Sequence, residues 1–191
     1  MVFDDWYNHI KLLIYWTGNR NVDNLIHSKF IFEGKQKIPT LAPFKILYMT
    51  ISEIQQEIIE EFSVYDDWMD KYGYLIELGN ELKDLDPKEK TDEFLIRGCQ
   101  SRVWLISDFV DGKIVFRAES DAVIVKGMVA LLLRVVSNRT PKEILDNELF
   151  FVDEIGLKQH LSPTRSNGLL SMIKQIKLYA VAYNRISEKG E

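Results

Sequence analysis

Apolar residues fall into a helical rhythm at Ile51, Ile54, Ile58 and Phe62, with Glu53, Glu57, Glu60 and Glu61 turned elsewhere. Thr50 and Glu53 frame the start as a capping box, in which each side chain reaches the other's backbone N–H. Asp66 and Asp67 suit the start of a second helix, because carboxylates meet its positive end. Its buried stripe is predicted as Trp68, Tyr72, Leu75 and Ile76, and Gly79 as its stop. After a polar connection over residues 82–90, the period changes to two. Residues 93–97 form a weak strand and 102–109 a stronger one, apolar on both faces at Val103, Trp104, Leu105 and Ile106. Asp111-Gly112 is a type I′ hairpin signal. Residues 113–119 then alternate, with Ile114, Phe116 and Ala118 inward and Lys113, Arg117 and Glu119 outward.

Residues 121–137 are nearly all apolar, broken only by Lys126 and Arg134, so they predict a helix buried on all sides behind the sheet. Gly127 inside it points to close packing, since glycine weakens a helix by about 1 kcal/mol against alanine. Thr140 and Glu143 make another capping box, with Pro141 at the first helical position. A short helix over 147–155 should end at Gly156. A last helix over 166–186 should bury Leu169, Met172, Ile173, Ile176, Ala180 and Tyr183. The expected class is α+β: a small three-stranded antiparallel sheet packed against several helices, with Cys99 on the bend between the first two strands.

Residues 1–48 read differently. They are rich in aromatics (Phe3, Trp6, Tyr7, Tyr15, Trp16) but keep no period, and Pro39 and Pro43 interrupt them. Asp4 and Asp5 occupy the place of a positive n-region, and the apolar run at 12–16 is too short for a signal peptide. This segment carries six Lys/Arg against four Asp/Glu, which leaves residues 49–191 at −7 within a total of −5. An acidic chain argues against a nucleic-acid partner. No apolar run reaches the roughly 18 residues of a membrane span, and one cysteine cannot make an internal disulfide. The cytoplasm is the expected compartment.

The candidate chemistry lies in Gly98-Cys99-Gln100-Ser101. Cys99 on a bend is either a small buried hydrophobe or a reactive thiol, and its own surroundings leave both open. His160 raises the alternative of a Cys–His hydrolase pair, although a His before a Pro-containing turn is more often structural. One Cys with one His cannot complete a structural zinc set, and a single thiolate falls short of the usual four cluster ligands. Asp121 would serve as N-cap of the buried helix. Arg165, at the start of the last helix, would either pair with a carboxylate or help receive an anion.

Two further stretches stand downstream of the cysteine: Glu119-Ser120-Asp121-Ala122-Val123-Ile124-Val125-Lys126-Gly127 and His160-Leu161-Ser162-Pro163-Thr164-Arg165-Ser166-Asn167-Gly168-Leu169. In order and spacing the three motifs resemble the SufE family of sulfur acceptors, from about residue 49 to about 183. The resemblance implies an IscU-like fold and a persulfide carried on Cys99. The sulfur would come from a SufS-type cysteine desulfurase and pass to iron–sulfur cluster assembly, with a SufB-type scaffold complex as a further partner. No cofactor of the chain's own is implied, since pyridoxal phosphate belongs to the desulfurase. Arg165 matches the family motif and is implied to act beside the thiol, and Asp121 to restrain the cysteine loop. SufE-like chains typically begin near Met49, so residues 1–48 are expected to be an over-extended start. The rival readings are a desulfurase activator that receives no sulfur, and the Cys–His hydrolase.

Overall fold

The computed structural model describes residues 49–189; the expectation about residues 1–48 lies outside the described residues. Helix α1 (Ile51–Ser63) starts at the Thr50–Glu53 capping box and buries Ile51, Ile54, Ile58 and Phe62 as its spacing predicts. Each such side chain contributes about 1.5–3 kcal/mol relative to leaving it in water. Gln55 is also fully buried, which its polarity hides in the sequence. Its amide donates to the Glu148 carbonyl at 3.0 Å and accepts from the Phe151 N–H at 3.2 Å, so both ends are satisfied.

Helix α2 (Trp68–Asn80) is capped by Asp67, whose carboxylate accepts from the N–H groups of Met69 and Asp70. Gly79 lies within this helix rather than ending it. The reason is packing. A Cβ at Gly79 would stand 2.8 Å from the Gly127 nitrogen, and one at Gly127 would stand 2.0 Å from the Leu75 carbonyl oxygen. Two glycines thus let α2 and helix α3 (Val123–Val136) touch backbone to backbone. Only Leu75 and Gly79 of α2 are buried; Trp68, Tyr72 and Ile76 are half-exposed, because the close crossing covers a narrower stripe than expected.

Helix α3 is a largely buried rod behind the sheet, with Val125, Met128, Leu132 and Val136 among its core residues, but it is not buried on all sides, since Val123 in its first turn stays exposed. Its one internal guanidinium, Arg134, is largely buried yet bonds Glu57 and Glu61 of α1. Burial opposes the charge of Arg134, but the two carboxylates outweigh it and raise its pKa further. Tyr74 donates to the same Glu61, and burial with that carboxylate holds its phenol protonated well above the ordinary range.

Strands β1 (Val103–Val110) and β2 (Lys113–Ser120) pair antiparallel, Val103 opposite Ser120 through Val110 opposite Lys113. Asp111 and Gly112 both take positive φ (51° and 76°), as a type I′ turn requires. The sheet has two strands, not three. The predicted first strand shrinks to one bridge, Leu95 opposite Trp104, made by Ile96 N–H to the Val103 carbonyl and Leu105 N–H to the Phe94 carbonyl. A turn from Thr91 to Phe94 closes it on one side, and the bend at Gly98 on the other. Phe94 and Leu95 still pack against Leu85, Trp104 and Ile106. Beyond the bridge the outer edge of β1 is covered by a helix. Tyr179 and Tyr183 of the last helix donate to the carbonyls of Leu105 (3.3 Å) and Ser107 (2.9 Å), where a third strand would have bonded.

Helix α4 (Pro141–Asp146) begins at the Thr140–Glu143 box. The helix predicted over 147–155 is instead a single turn, α5 (Phe151–Glu154), and past Gly156, at φ 76°, a second turn follows, α6 (Leu157–His160). Helix α7 (Pro163–Lys189) starts three residues before its predicted point, because Pro163 is itself a good first helical residue and Ser166 N–H reaches the Ser162 carbonyl. It buries Leu169, Met172, Ile176 and Ala180, while Ile173 and Tyr183 stay half-exposed.

Candidate functional site

Cys99 stands on a loop gripped at its two ends and almost free between them. Upstream, the loop leaves the sheet at the bond from Ile96 to Val103. Downstream, Arg102 is held at several atoms. Asp121 Oδ1 accepts from the Arg102 N–H at 2.9 Å and Oδ2 from its Nε at 3.0 Å. In return, the Asp121 N–H (3.2 Å) and the Ser120 hydroxyl (3.0 Å) donate to the Arg102 carbonyl. Between these grips, Arg97, Gly98, Gln100 and Ser101 make no hydrogen bond among the described residues.

One bond tethers the middle of the loop: Cys99 Sγ donates to the Gly168 carbonyl of α7 at 3.5 Å. Two glycines make this seat. Gly98 takes φ +91°, and a Cβ there would also meet Ser171 Oγ at 2.9 Å. A Cβ at Gly168 would lie 3.4 Å from the sulfur, so a larger side chain would crowd the thiol. The thiol opens on a recess of about 10 Å³, room for one water-sized body. Val125, Met128, Gly168 and Met172 line it from the buried side; Gln100, Ser101, Thr164 and Arg165 complete it. Burial pushes the Cys99 pKa above its ordinary value, which favours the protonated thiol in this seat.

The structure brings Arg165 to Cys99: it lies in the first turn of α7 and lines the recess. Asp121 acts at one remove. It is not the N-cap of α3, a place taken by Ala122 with no side-chain bond, because its carboxylate turns back to Arg102. His160 is elsewhere. Its ring stacks on Trp68 (4.0 Å between centroids, 16° apart), its Nδ1 donates to the Gly156 carbonyl, and its own carbonyl accepts from Tyr72. It does not line the recess, so no Cys–His pair forms.

Gly168 and Arg102 also build the site, the first as acceptor for the thiol and the second as the anchor of the loop. Gly168 carried a usable signal, since a glycine near the start of a helix is unfavourable unless something packs on it. Arg102 carried none. Among the described residues, no group of three or more His, Cys, Asp or Glu stands ready to hold a metal, and no helix is long and apolar enough to cross a membrane.

Comparison with known proteins places these features. An uncharacterized SufE-like protein of Rhizobium meliloti (strain 1021) is 42% identical over 126 residues, which cover 63% of this chain and 90% of the relative. A hypothetical protein from Thermus thermophilus, solved in solution, shares the fold with a TM-score of 0.58 at 18% identity. The match covers 69% of this chain and 96% of that one. The model of the SufE family, described as an Fe-S metabolism associated domain, matches residues 56–180, a span that contains Cys99, Asp121 and Arg165. The chain therefore belongs to the SufE family.

Proposed function

We propose that Cys99 accepts a sulfur atom from the persulfide of a SufS-type cysteine desulfurase and hands it on to iron–sulfur cluster assembly, for instance on a SufB-type scaffold. The observation that carries this reading is the loop: a thiol held by one weak S–H···O bond, whose neighbours Gly98 and Gln100 make no hydrogen bond among the described residues. Such a bond contributes about 1 kcal/mol or less, so the open form needs only a modest bias from a docking partner.

Once outside the recess, Cys99 loses its proton and attacks the outer sulfur of the desulfurase persulfide. The new S–S bond forms at Cys99 as the desulfurase S–S bond breaks, and the desulfurase cysteine leaves as a thiolate that takes up a proton. Thiol and persulfide exchange places, with no net oxidation. Pyridoxal phosphate, which releases sulfur from cysteine, is the desulfurase's. Arg165 stands beside the incoming sulfur, where a guanidinium favours thiolate and persulfide anions. Asp121 sets how readily the loop leaves its seat, through Arg102.

The test is Cys99→Ser, which keeps the size of the side chain and removes the carrier atom. The variant should bind the desulfurase and fail to stimulate it. Full stimulation by Cys99→Ser would replace the carrier with an activator that receives no sulfur.

A further inference from the structure

Three guanidinium groups surround the Cys99 loop. Arg97 precedes the cysteine by two residues, Arg102 follows by three, and Arg165 lines the same recess. All three are exposed. Arg97 and Arg165 make no ion pair or hydrogen bond among the described residues. Arg102 gives only Nε to Asp121; its side chain is 68% exposed and its guanidinium lies 5.5 Å over the Trp104 ring. The terminal nitrogens of that fork remain available. These cations stand on a chain whose residues 49–191 carry a net −7, so their concentration around one thiol runs against the bulk charge.

A sulfur anion in the recess accounts for Arg165, which lines it, but not for Arg97 and Arg102, which do not. Those two are exposed at the shoulders of the loop. Arginine offers a planar fork that matches carboxylates in pairs, and charges at the rim of an interface act chiefly on encounter rate and partner choice.

We propose that Arg97, Arg102 and Arg165 form a cationic collar that docks the Cys99 loop against an acidic rim at the mouth of the desulfurase active site. This inference rests on the sulfur-acceptor reading for its partner. Arg97 is a specificity-determining residue: it steers the loop to a carboxylate-lined entrance and takes no part in sulfur transfer.

The experiment titrates the full chain against the host's purified SufS-type desulfurase at about 50 mM and about 0.5 M salt, where screening goes from weak to nearly complete. Binding is measured with Cys99→Ser chains and stimulation with Cys99 intact. Arg97→Glu should raise the half-saturating concentration about tenfold at low salt and less than about twofold at high salt, with the saturating rate unchanged. Arg97→Gln should fall between. Lys174→Gln, which removes an exposed charge of α7 that does not line the recess, should shift it little. The inference is overturned by an unchanged half-saturation for Arg97→Glu, by a fall in the saturating rate alone, by an equal shift for Lys174→Gln, or by absence of binding. Salt-sensitive binding through Arg97 with no sulfur ever reaching Cys99 would remove the carrier and keep the collar. Sulfur on Cys99 with no dependence on Arg97 would do the reverse.

Discussion

Replacing Asp121 with alanine should release the cysteine loop without unfolding the domain. The change removes an acceptor from the Arg102 N–H and an ion pair to its guanidinium. The ion pair is exposed on both sides, at 68% and 38%, so it contributes about 0.2–1 kcal/mol. The bond from the backbone N–H to the carboxylate adds about 1 kcal/mol, the value of an ordinary hydrogen bond, because water can replace it at this exposed site. Together these give about 1–2 kcal/mol, or about a 5- to 30-fold rise in the open population. Cys99 is the chain's one thiol, so its alkylation by iodoacetamide, followed by intact mass, reads that population directly. Asp121→Asn, which loses the charge and keeps an acceptor, should show only a few-fold rise. The pH profile gives a second reading. In the seated thiol, burial raises the pKa, whereas an open loop titrates near the ordinary 8.5 or so. Below that ordinary value both forms are neutral and the seat keeps its full strength. As pH rises toward the raised value, the open form ionises first and the seat loses its advantage. The wild-type alkylation midpoint should therefore lie above about 8.5 and move down toward it in Asp121→Ala. An unchanged rate would refute the restraint. So would a rise matched by faster hydrogen exchange throughout α3, since Cys99 would then be exposed by global unfolding.

Gly98→Ala strains a backbone at φ +91° and pushes a Cβ toward Ser171, so alkylation of Cys99 should rise several-fold while the far-ultraviolet spectrum stays the same. Gly127→Ala has no such local outlet: its Cβ would meet the Leu75 carbonyl at 2.0 Å, and α2 and α3 must separate. Urea denaturation should show a loss of about 3 kcal/mol or more, and a loss under about 1 kcal/mol would contradict the packing described here. Arg134→Met leaves Glu57 and Glu61 without their shared cation, and should lower stability by about 2–4 kcal/mol in the same assay.

Much of this arrangement is legible in the sequence wherever local chemistry decides it. The capping boxes at Thr50 and Thr140 act within one turn, and both form as written. The Asp111-Gly112 turn needs only two residues that tolerate positive φ. The nearly all-apolar run of α3 calls for burial along most of its length, so its central place follows, with Val123 at its start left exposed. What fails is whatever a distant partner settles. Residues 93–97 have a strand's composition, but the length of the ladder depends on Tyr179 and Tyr183 meeting the carbonyls of β1 from 74 and 76 residues away. Asp121 has the right place for a cap and takes Arg102 instead, a choice that exists only once β1 and β2 are paired. Gly79 resembles a stop because glycine often is one; its contact with Gly127 requires the helix crossing to be known. At the site, the family motifs single out Cys99 and Arg165, and both line the same recess. The seat at Gly168 and the unbonded loop are properties of the folded chain.

The central claim is that sulfur rests on Cys99. The direct measurement is intact and peptide mass of the full chain after incubation with a SufS-type desulfurase and cysteine, without reductant. The account predicts a gain of about 32 Da, one sulfur, on the peptide bearing Cys99, lost again on treatment with a thiol reductant. A Cys99 that stays an unmodified thiol while the desulfurase turns over faster would contradict it.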